Sequence, residues 1–135
     1  MSAYLLDSNH AGTLVTPMHD VYKRVTAQMA AGDIFCLALP VVTEVVFGFS
    51  ILPRATQNWR EWRAIRPSLM LIGLDENDLL DAASLQVLLR RQGRQLHTVD
   101  ALIATVALRY KLTLLTTDKD FQPVPALVTE NWMIP

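Results

Sequence analysis

The chain of 135 residues lacks several features that mark specialised classes of protein. It has one cysteine, Cys36, which excludes an internal disulfide, and this thiol lies in the apolar run IFCLAL, where an inert buried cysteine is expected. No apolar run reaches the roughly 18 residues of a membrane span, and the N-terminus has no basic patch or cleavage site typical of a signal peptide. We therefore expect a cytoplasmic protein with no membrane partner.

A strong net charge is also lacking, since the formal charge is −1. The chain as a whole is therefore not a polycation, although its charges are unevenly placed. A hydrophobic fraction of 51% and a length close to that of a common domain predict one globular domain over residues 1–135, without repeats or flexible linkers. Seven of the 12 basic residues lie between positions 54 and 94: Arg54, Arg60, Arg63, Arg66, Arg90, Arg91 and Arg94.

Strand-like and helical segments alternate along the sequence. Apolar runs predict strands at 3–6, 34–39, 69–74, 112–117 and 126–131. Helices are predicted at 16–32, from Pro40 onwards, and at 55–66, 76–91 and 99–111. The strands are too uniformly apolar for a sheet with one exposed face. This pattern predicts an α/β three-layer sandwich with a mainly parallel central sheet of four to five strands.

Capping residues and apolar spacing give these helices predicted ends and faces. Thr16, Asp75 and Thr98 are expected to cap three of them, and Gly32 and Gly93 to end two. The helical spacing predicts that two sets of residues face inward. They are Leu79, Leu80, Ala83, Val87 and Leu88 in one helix, and Leu102, Ile103, Val106 and Ala107 in the next.

Four acids are predicted to meet at one edge of the sheet. Asp7 directly follows the first strand and Asp118 the fourth, while Glu44 lies about one turn into the helix after the second strand. Asp100 starts a helix of about 20 Å that leads back along a strand of similar length, so it should lie beside Asp118. The carboxyl ends of parallel strands are where such folds bind ligands.

Carboxylates placed together must take up protons or hold a cation. Two of them about 5 Å apart repel by roughly 3 kcal/mol at an effective dielectric of about 20. An all-oxygen site suits Mg²⁺ or Mn²⁺, and no second histidine stands at a metal-ligand spacing from His97, which argues against zinc. Taken singly, Asp7 and Asp118 could be turn formers, Asp100 a helix-end acid and Asp120 a solvated loop acid.

Glu44 is the acid that is hardest to explain as structural. Its helix, PVVTEVVFGF, is apolar on nearly all sides, which predicts a buried carboxylate. A buried carboxylate needs a partner, and no basic residue lies within ten positions before it or nine after it.

The segments YLLDSN, VVTEVVFG and TVDALIATVALRYKLTLLTTDKDF, with the lead-in LLRRQGRQL, resemble PIN-domain ribonucleases, in particular the VapC-type toxins of type II toxin–antitoxin pairs. The resemblance extends over nearly the whole chain and rests on the order and spacing of the segments. It implies a Mg²⁺- or Mn²⁺-dependent endoribonuclease whose acidic quartet, by motif, is Asp7, Glu44, Asp100 and Asp118. Supporting positions are Asn9, Thr116 or Thr117, and Asp120, which could exchange roles with Asp118. Ser8 stands where threonine is usual in the family.

The same resemblance implies an RNA substrate, an antitoxin partner and a homodimer. Arg90, Arg91 and Arg94 could contact phosphates or form a solvated helix end. Trp59 and Trp62 could stack on bases or pack into the core or against a partner. The apolar segment VVFGFSIL after Glu44 is a candidate contact surface or a core helix.

Two other functions remain open from the residues. An aspartyl-phosphate phosphatase would need a second aspartate two positions after the first, where this chain has Asn9, and Lys119 is the only basic residue near an acid. A receiver-like domain that binds Mg²⁺ without catalysis is the other alternative. The RNA target, the number of metal ions and the identity of the antitoxin are not encoded in any motif.

Overall fold

The computed structural model describes residues 1–134, in which five strands alternate with six α-helices. The strands are β1 (Ala3–Leu6), β2 (Ile34–Ala38), β3 (Met70–Ile72), β4 (Thr113–Leu115) and β5 (Thr129–Glu130). The helices are α1 (Ser8–Ala11), α2 (Asp20–Ala30), α3 (Leu39–Ser50), α4 (Ala55–Ile65), α5 (Glu76–Arg91) and α6 (Thr98–Tyr110). Short 3₁₀ segments occupy Gly12–Val15, Arg66–Ser68 and Lys119–Phe121.

The strands form one parallel sheet in the order β3-β2-β1-β4-β5, which confirms the predicted α/β sandwich. β1 is central, and its Leu5 pairs with Cys36 of β2 on one side and Leu114 of β4 on the other. The chain first extends the sheet to one side of β1 and then to the other. The topological switch point therefore lies between β1 and β4, and the crevice beyond their carboxyl ends is the expected ligand site.

The core lies on both faces of the central strands. Leu5, Leu37 and Leu114 have no exposed surface, as expected for strands covered by helices on either side. Cys36 is buried and its burial raises the pKa of its thiol, which confirms the expected unreactive cysteine. No helix within residues 1–134 combines the length and the apolarity that crossing a bilayer requires.

Helix α2 begins later than predicted. The expected cap, Thr16, lies in a turn, where its carbonyl accepts a hydrogen bond from the His19 amide (2.9 Å). His19 is the N-cap, because its Nδ1 accepts from the Val21 amide at 3.0 Å. The end is as expected, since Gly32 has a φ of +103° that suits glycine. Thr98 is likewise the first residue of α6, and not its cap.

The predicted inward face of α5 is wrong. Leu79, Leu80, Val87 and Leu88 are exposed, as is Ala83. The helix instead buries Asp78, Ala82 and Leu89, which lie on another face. The apolar spacing of α5 fits both faces, and the choice is made by Asp78, whose Oδ2 accepts a hydrogen bond from Arg109 of α6 at 2.7 Å. Asp75 and Asp78 also form the predicted cap of this helix as a reciprocal capping box. In α6 the predicted inward residues are buried or partly buried against the core.

The two tryptophans of α4 are packing residues. Trp62 is buried, and Trp59 meets Phe49 of α3 edge-on with ring centroids 5.2 Å apart. Base stacking by Trp62 is therefore excluded in this conformation. The pair joins α4 to α3, the helix that carries Glu44.

A matched pair of substitutions in α5 tests which face is buried. Leu89 is 1% exposed and Leu80 is 58% exposed. We expect Leu89→Ala to lower the free energy of unfolding by about 2–5 kcal/mol, because it leaves a cavity. Leu80→Ala should change it by about 0.5 kcal/mol or less. Urea denaturation measures both, and a larger loss in Leu80→Ala would contradict the observed orientation.

Candidate functional site

Asp7 is held at the centre of the crevice by hydrogen bonds to both carboxylate oxygens. It directly follows β1, is 5% exposed and caps α1, with Oδ1 accepting from the Ser8 amide at 2.8 Å. Its Oδ2 accepts from the Thr116 hydroxyl at 2.7 Å. Burial raises the pKa of Asp7, the two hydrogen bonds oppose that shift, and nearby Asp118 adds to it. Asp7 is thus a rigid carboxylate with fixed oxygen positions.

Thr116 connects Asp7 to Asp118. Its hydroxyl donates to Asp7 and accepts from the Asp118 main-chain amide at 3.0 Å. Asp118 is half-buried and caps the 3₁₀ turn, with its Oδ1 accepting from the Asp120 amide at 2.8 Å. Thr117 is exposed and forms no hydrogen bond through its side chain within residues 1–134. Thr116 is therefore the threonine that orients the acids.

Asp100 is the acid whose pKa is raised by the charges of all three others. It lies in the first turn of α6 and is half-buried. Its pKa is raised to about 6, first by burial and then by the charges of Asp7, Asp118 and Glu44 in that order, against a weaker opposing effect of His97. The four predicted residues therefore lie within electrostatic range of one another, although α6 is far from β1 in sequence.

Glu44 differs from its prediction. Its side chain is exposed, because the core-facing stripe of α3 is formed by Val41, Val45 and Phe49 and Glu44 lies beside that stripe. Partial burial nevertheless raises its pKa, and the charge of Asp7 adds to the effect. Glu44 faces a cleft of about 350 Å³ whose lining includes Asn9 and Ser8. It is thus the solvent-accessible member of the group.

Asp120 does not belong to this group. It is exposed and lines a separate hollow with Arg94, His97 and Lys119. Asp120 does not contribute to the raised pKa of Asp100, whereas Asp118 does. The geometry therefore favours Asp118 as the fourth acid.

None of the four acids is paired with a cation. In the part of the chain from 1 to 134, the salt bridges of lysine and arginine are those of Arg109 with Asp75 and Asp78, on the other side of α6. Within this part of the chain, no salt bridge therefore offsets the cost of burying these four acids or the repulsion between them. A bound cation would relieve both.

The donor set fits a hard divalent cation that keeps part of its water shell. All candidate ligands are carboxylate oxygens, the donors preferred by Mg²⁺ and Mn²⁺. Among residues 1–134, no three acidic, histidine or cysteine side chains converge closely enough to enclose an ion by themselves. Mg²⁺ is commonly held by one or two carboxylates with waters completing its octahedron, so a site of this kind does not need three converging ligands. Asp7, Asp100 and Asp118 would hold such an ion, either directly or through its water ligands.

The raised pKa of Asp100 gives a pH dependence of stability. A pKa of about 6 against an ordinary 3.8 means that the folded protein binds this proton more tightly than the unfolded chain. The stability of the metal-free protein should therefore fall as pH rises from about 4 to about 6. We expect Asp100→Asn to raise Tm at roughly pH 8 and to leave it unchanged near pH 4, as measured by thermal unfolding in EDTA. The control is Asp81→Asn, an exposed acid of α5, and equal pH profiles for the two variants would contradict the coupling.

Structural comparison shows what this fold is similar to. The chain resembles VapBC2 from Rickettsia felis bound to a promoter DNA fragment, with a TM-score of 0.82 and 24% identity over 96% of this chain and 98% of that one. DNA-bound VapBC from Salmonella typhimurium gives a TM-score of 0.79 and 19% identity over 98% and 99% of the two chains. VapC20 from Mycobacterium tuberculosis, a Sarcin-Ricin loop cleaving toxin, gives 0.65 and 15% over 92% and 95%. At these identities the likeness concerns the fold.

Sequence comparison adds the family. No match was found among curated protein sequences. A family model described as PIN domain, however, matches residues 4–127. This range covers most of the chain and includes all four acids. The chain therefore belongs to the PIN domain family.

Proposed function

We propose that this protein is a metal-dependent endoribonuclease of the VapC type, acting as the toxin of a toxin–antitoxin pair. The observation that carries the proposal is the group of four carboxylates without cationic partners at the switch point of a PIN domain. Its likeness to toxin–antitoxin complexes and to a toxin that cleaves the Sarcin-Ricin loop supports this function.

The proposed reaction is hydrolysis of an RNA phosphodiester. When bound, Mg²⁺ or Mn²⁺ would lower the pKa of a water molecule and offset charge on the phosphate. Asp7, Asp100 and Asp118 would hold the ion, and the Thr116 hydroxyl keeps Asp7 oriented through its 2.7 Å hydrogen bond. Water attacks the phosphorus and the bond from phosphorus to the leaving sugar oxygen breaks. Glu44, which is exposed to the cleft and has a raised pKa, accepts the proton of the attacking water.

Basic residues beside the acids provide a route for the RNA backbone. Arg90 and Arg94 line one hollow, and Arg94 also lines a second hollow, where His97, Lys119 and one acid, Asp120, accompany it. His97 is close enough to lower the pKa of Asp100. The two hollows therefore form a cationic path that leads to the acidic centre, and phosphate groups are its natural ligand.

An exposed apolar surface on α3 supports protein partners. Phe47, Ile51 and Leu52 are each more than half exposed, and they follow Glu44 along VVFGFSIL. Exposed apolar clusters of this kind often mark protein contacts. We propose the antitoxin as the partner here, since the surface adjoins the cleft that contains Glu44. Homodimerisation stays a prediction, for which the exposed stripe of α5 is a second candidate surface.

Single substitutions at the acids test the nuclease. We expect Asp7→Asn and Asp118→Asn to lower RNA cleavage more than about 100-fold, because each removes a charge from the proposed metal site. EDTA should abolish cleavage by the wild type, and Mg²⁺ or Mn²⁺ should restore it. Mapping RNA ends after brief induction, together with growth curves, measures both cleavage and toxicity. The matched control is Asp120→Asn, which should retain activity.

Full cleavage in EDTA would contradict the metal requirement. Equal losses in Asp118→Asn and Asp120→Asn would contradict the assignment of the fourth acid. Turnover of a generic phosphomonoester without cleavage of RNA would favour a phosphatase instead.

Neutralising the cationic path should weaken RNA binding without changing the chemistry. In an inactive Asp7→Asn background, we expect the double substitution of Arg90 and Arg94 by glutamine to raise Kd for a single-stranded oligonucleotide. The slope of log Kd against log salt should fall by about 0.7 for each lost phosphate contact. Fluorescence anisotropy at several salt concentrations measures this. Arg60 and Arg63 of α4, exposed and in another helix, form the control pair, and an equal effect there would contradict the path.

A further inference from the structure

His10 is a fully buried histidine that lies directly behind the cleft. It has no exposed surface, and both of its ring nitrogens are engaged. Nδ1 lies 2.7 Å from Oδ1 of Asn9, and Nε2 lies 3.0 Å from the main-chain nitrogen of Trp132, a residue 122 positions away. No local sequence pattern marks His10 as a functional residue.

The contact with Trp132 determines the tautomer of the ring. A main-chain N–H can only donate, so Nε2 of His10 must be unprotonated to accept from it. Burial, and to a lesser extent the charge of His19, lower the pKa of His10 to about 4, so the ring is neutral near physiological pH. The single ring proton therefore resides on Nδ1 and is donated to Oδ1 of Asn9. This leaves the amide NH₂ of Asn9 as the group free to act in the cleft, which Asn9 lines with Ser8 and Glu44.

The C-terminal side of the contact is firmly held. The Trp132 ring packs edge-on against Tyr4 and Phe35, with centroids 5.0 and 5.8 Å apart. The guanidinium of Arg24 lies 3.7 Å from the Trp132 ring centroid, and the indole Nε1 donates to Glu130 at 2.9 Å. His10 therefore connects a rigid segment beyond β5 to a polar side chain of the cleft.

We propose that His10 is a positioning residue for the nuclease reaction, fixing the Asn9 amide so that its NH₂ group faces the substrate phosphate beside Glu44. This inference rests on the proposed function. It also assigns a role to the C-terminal segment, whose Trp132 amide holds the imidazole in the tautomer that Asn9 requires.

Two substitutions separate the two hydrogen bonds of the ring. His10→Asn places an amide donor near the position of Nδ1, so it can keep the bond to Asn9 and lose the one to Trp132. His10→Gln places an acceptor near the position of Nε2. It can therefore keep the hydrogen bond from the Trp132 amide and lose the one to Asn9. Both replace the buried ring by a smaller side chain and should lower Tm, so stability alone does not distinguish them.

The expected distinction lies in the kinetics. We expect His10→Gln to lower kcat about 10–100-fold, the usual range for groups that orient a site from behind, with KM for RNA little changed. Asn9→Ala should give a similar loss, and the double variant should lose no more than either alone. His10→Asn should retain most of kcat. Equal kcat in both His10 variants, or additive losses in the double variant, would overturn the proposal.

A buried hydroxyl elsewhere gives the control for general destabilisation. Thr105 is buried in α6 and donates to the carbonyl of Ala101 at 2.8 Å. Thr105→Val should lower Tm without changing kcat. A loss of kcat in Thr105→Val comparable to that of His10→Gln would show that the site responds to any loss of core stability, and would overturn a specific role for His10.

The ring itself can be examined without any nuclease activity. Nitrogen-15 NMR of the histidine-labelled protein should show His10 protonated at Nδ1 and unprotonated at Nε2 near pH 7. The side-chain amide signals of Asn9 should shift in His10→Gln and remain in place in His10→Asn. The opposite tautomer would overturn the positioning role even if RNA cleavage is confirmed. So would side-chain amide signals of Asn9 that shift in neither variant. Absence of RNA cleavage in the wild type, with the tautomer as expected, would refute the proposed function and the reaction role together while leaving the geometry of His10 intact.

Discussion

Repulsion among carboxylates is the constraint on which the site depends. The neighbouring parallel strands β1 and β4 end at the same edge of the sheet, which brings Asp7 and Asp118 close together. The Thr116 hydroxyl holds both in place by donating to one and accepting from the main chain of the other. α6 then brings Asp100 to the same point, where burial and the charges of the other three acids raise its pKa. Such an arrangement lowers the stability of the metal-free protein, and it is useful only if a cation resolves it.

The acids are chemically alike, and their surroundings make them different. Asp7 is buried and accepts two hydrogen bonds, so it is fixed in position. Asp100 is half-buried and its pKa is raised to about 6, which suits a ligand that becomes ionised when a cation binds. Glu44 is exposed to the cleft, where water and substrate can reach it. Different environments for like groups are how one set of carboxylates can hold a metal and also move a proton.

Much of the fold and the quartet could be predicted from sequence, and the failures have identifiable causes. The strand ends could be predicted because one apolar run stops at Asp7 and another stops at Leu115, shortly before Asp118. The predicted burial of Glu44 was wrong. An apolar helix need not pack every face against the core, and α3 buries only one stripe. The predicted face of α5 was wrong because its apolar residues fit two stripes, and the ion pair of the buried Asp78 with the exposed Arg109 selects the other one.

By itself, the sequence determined the alternation of strands and helices and the segments that carry the acids, since both follow from local apolar patterns and chain connectivity. Only the tertiary structure decided which threonine orients the acids, because Thr116 and Thr117 differ only in the side of the strand end on which they lie. It also decided the role of His10, whose partner Trp132 is 122 residues away. No local pattern encodes a hydrogen bond between a ring near one end of the chain and a main-chain amide near the other. Packing alone brings those two atoms together.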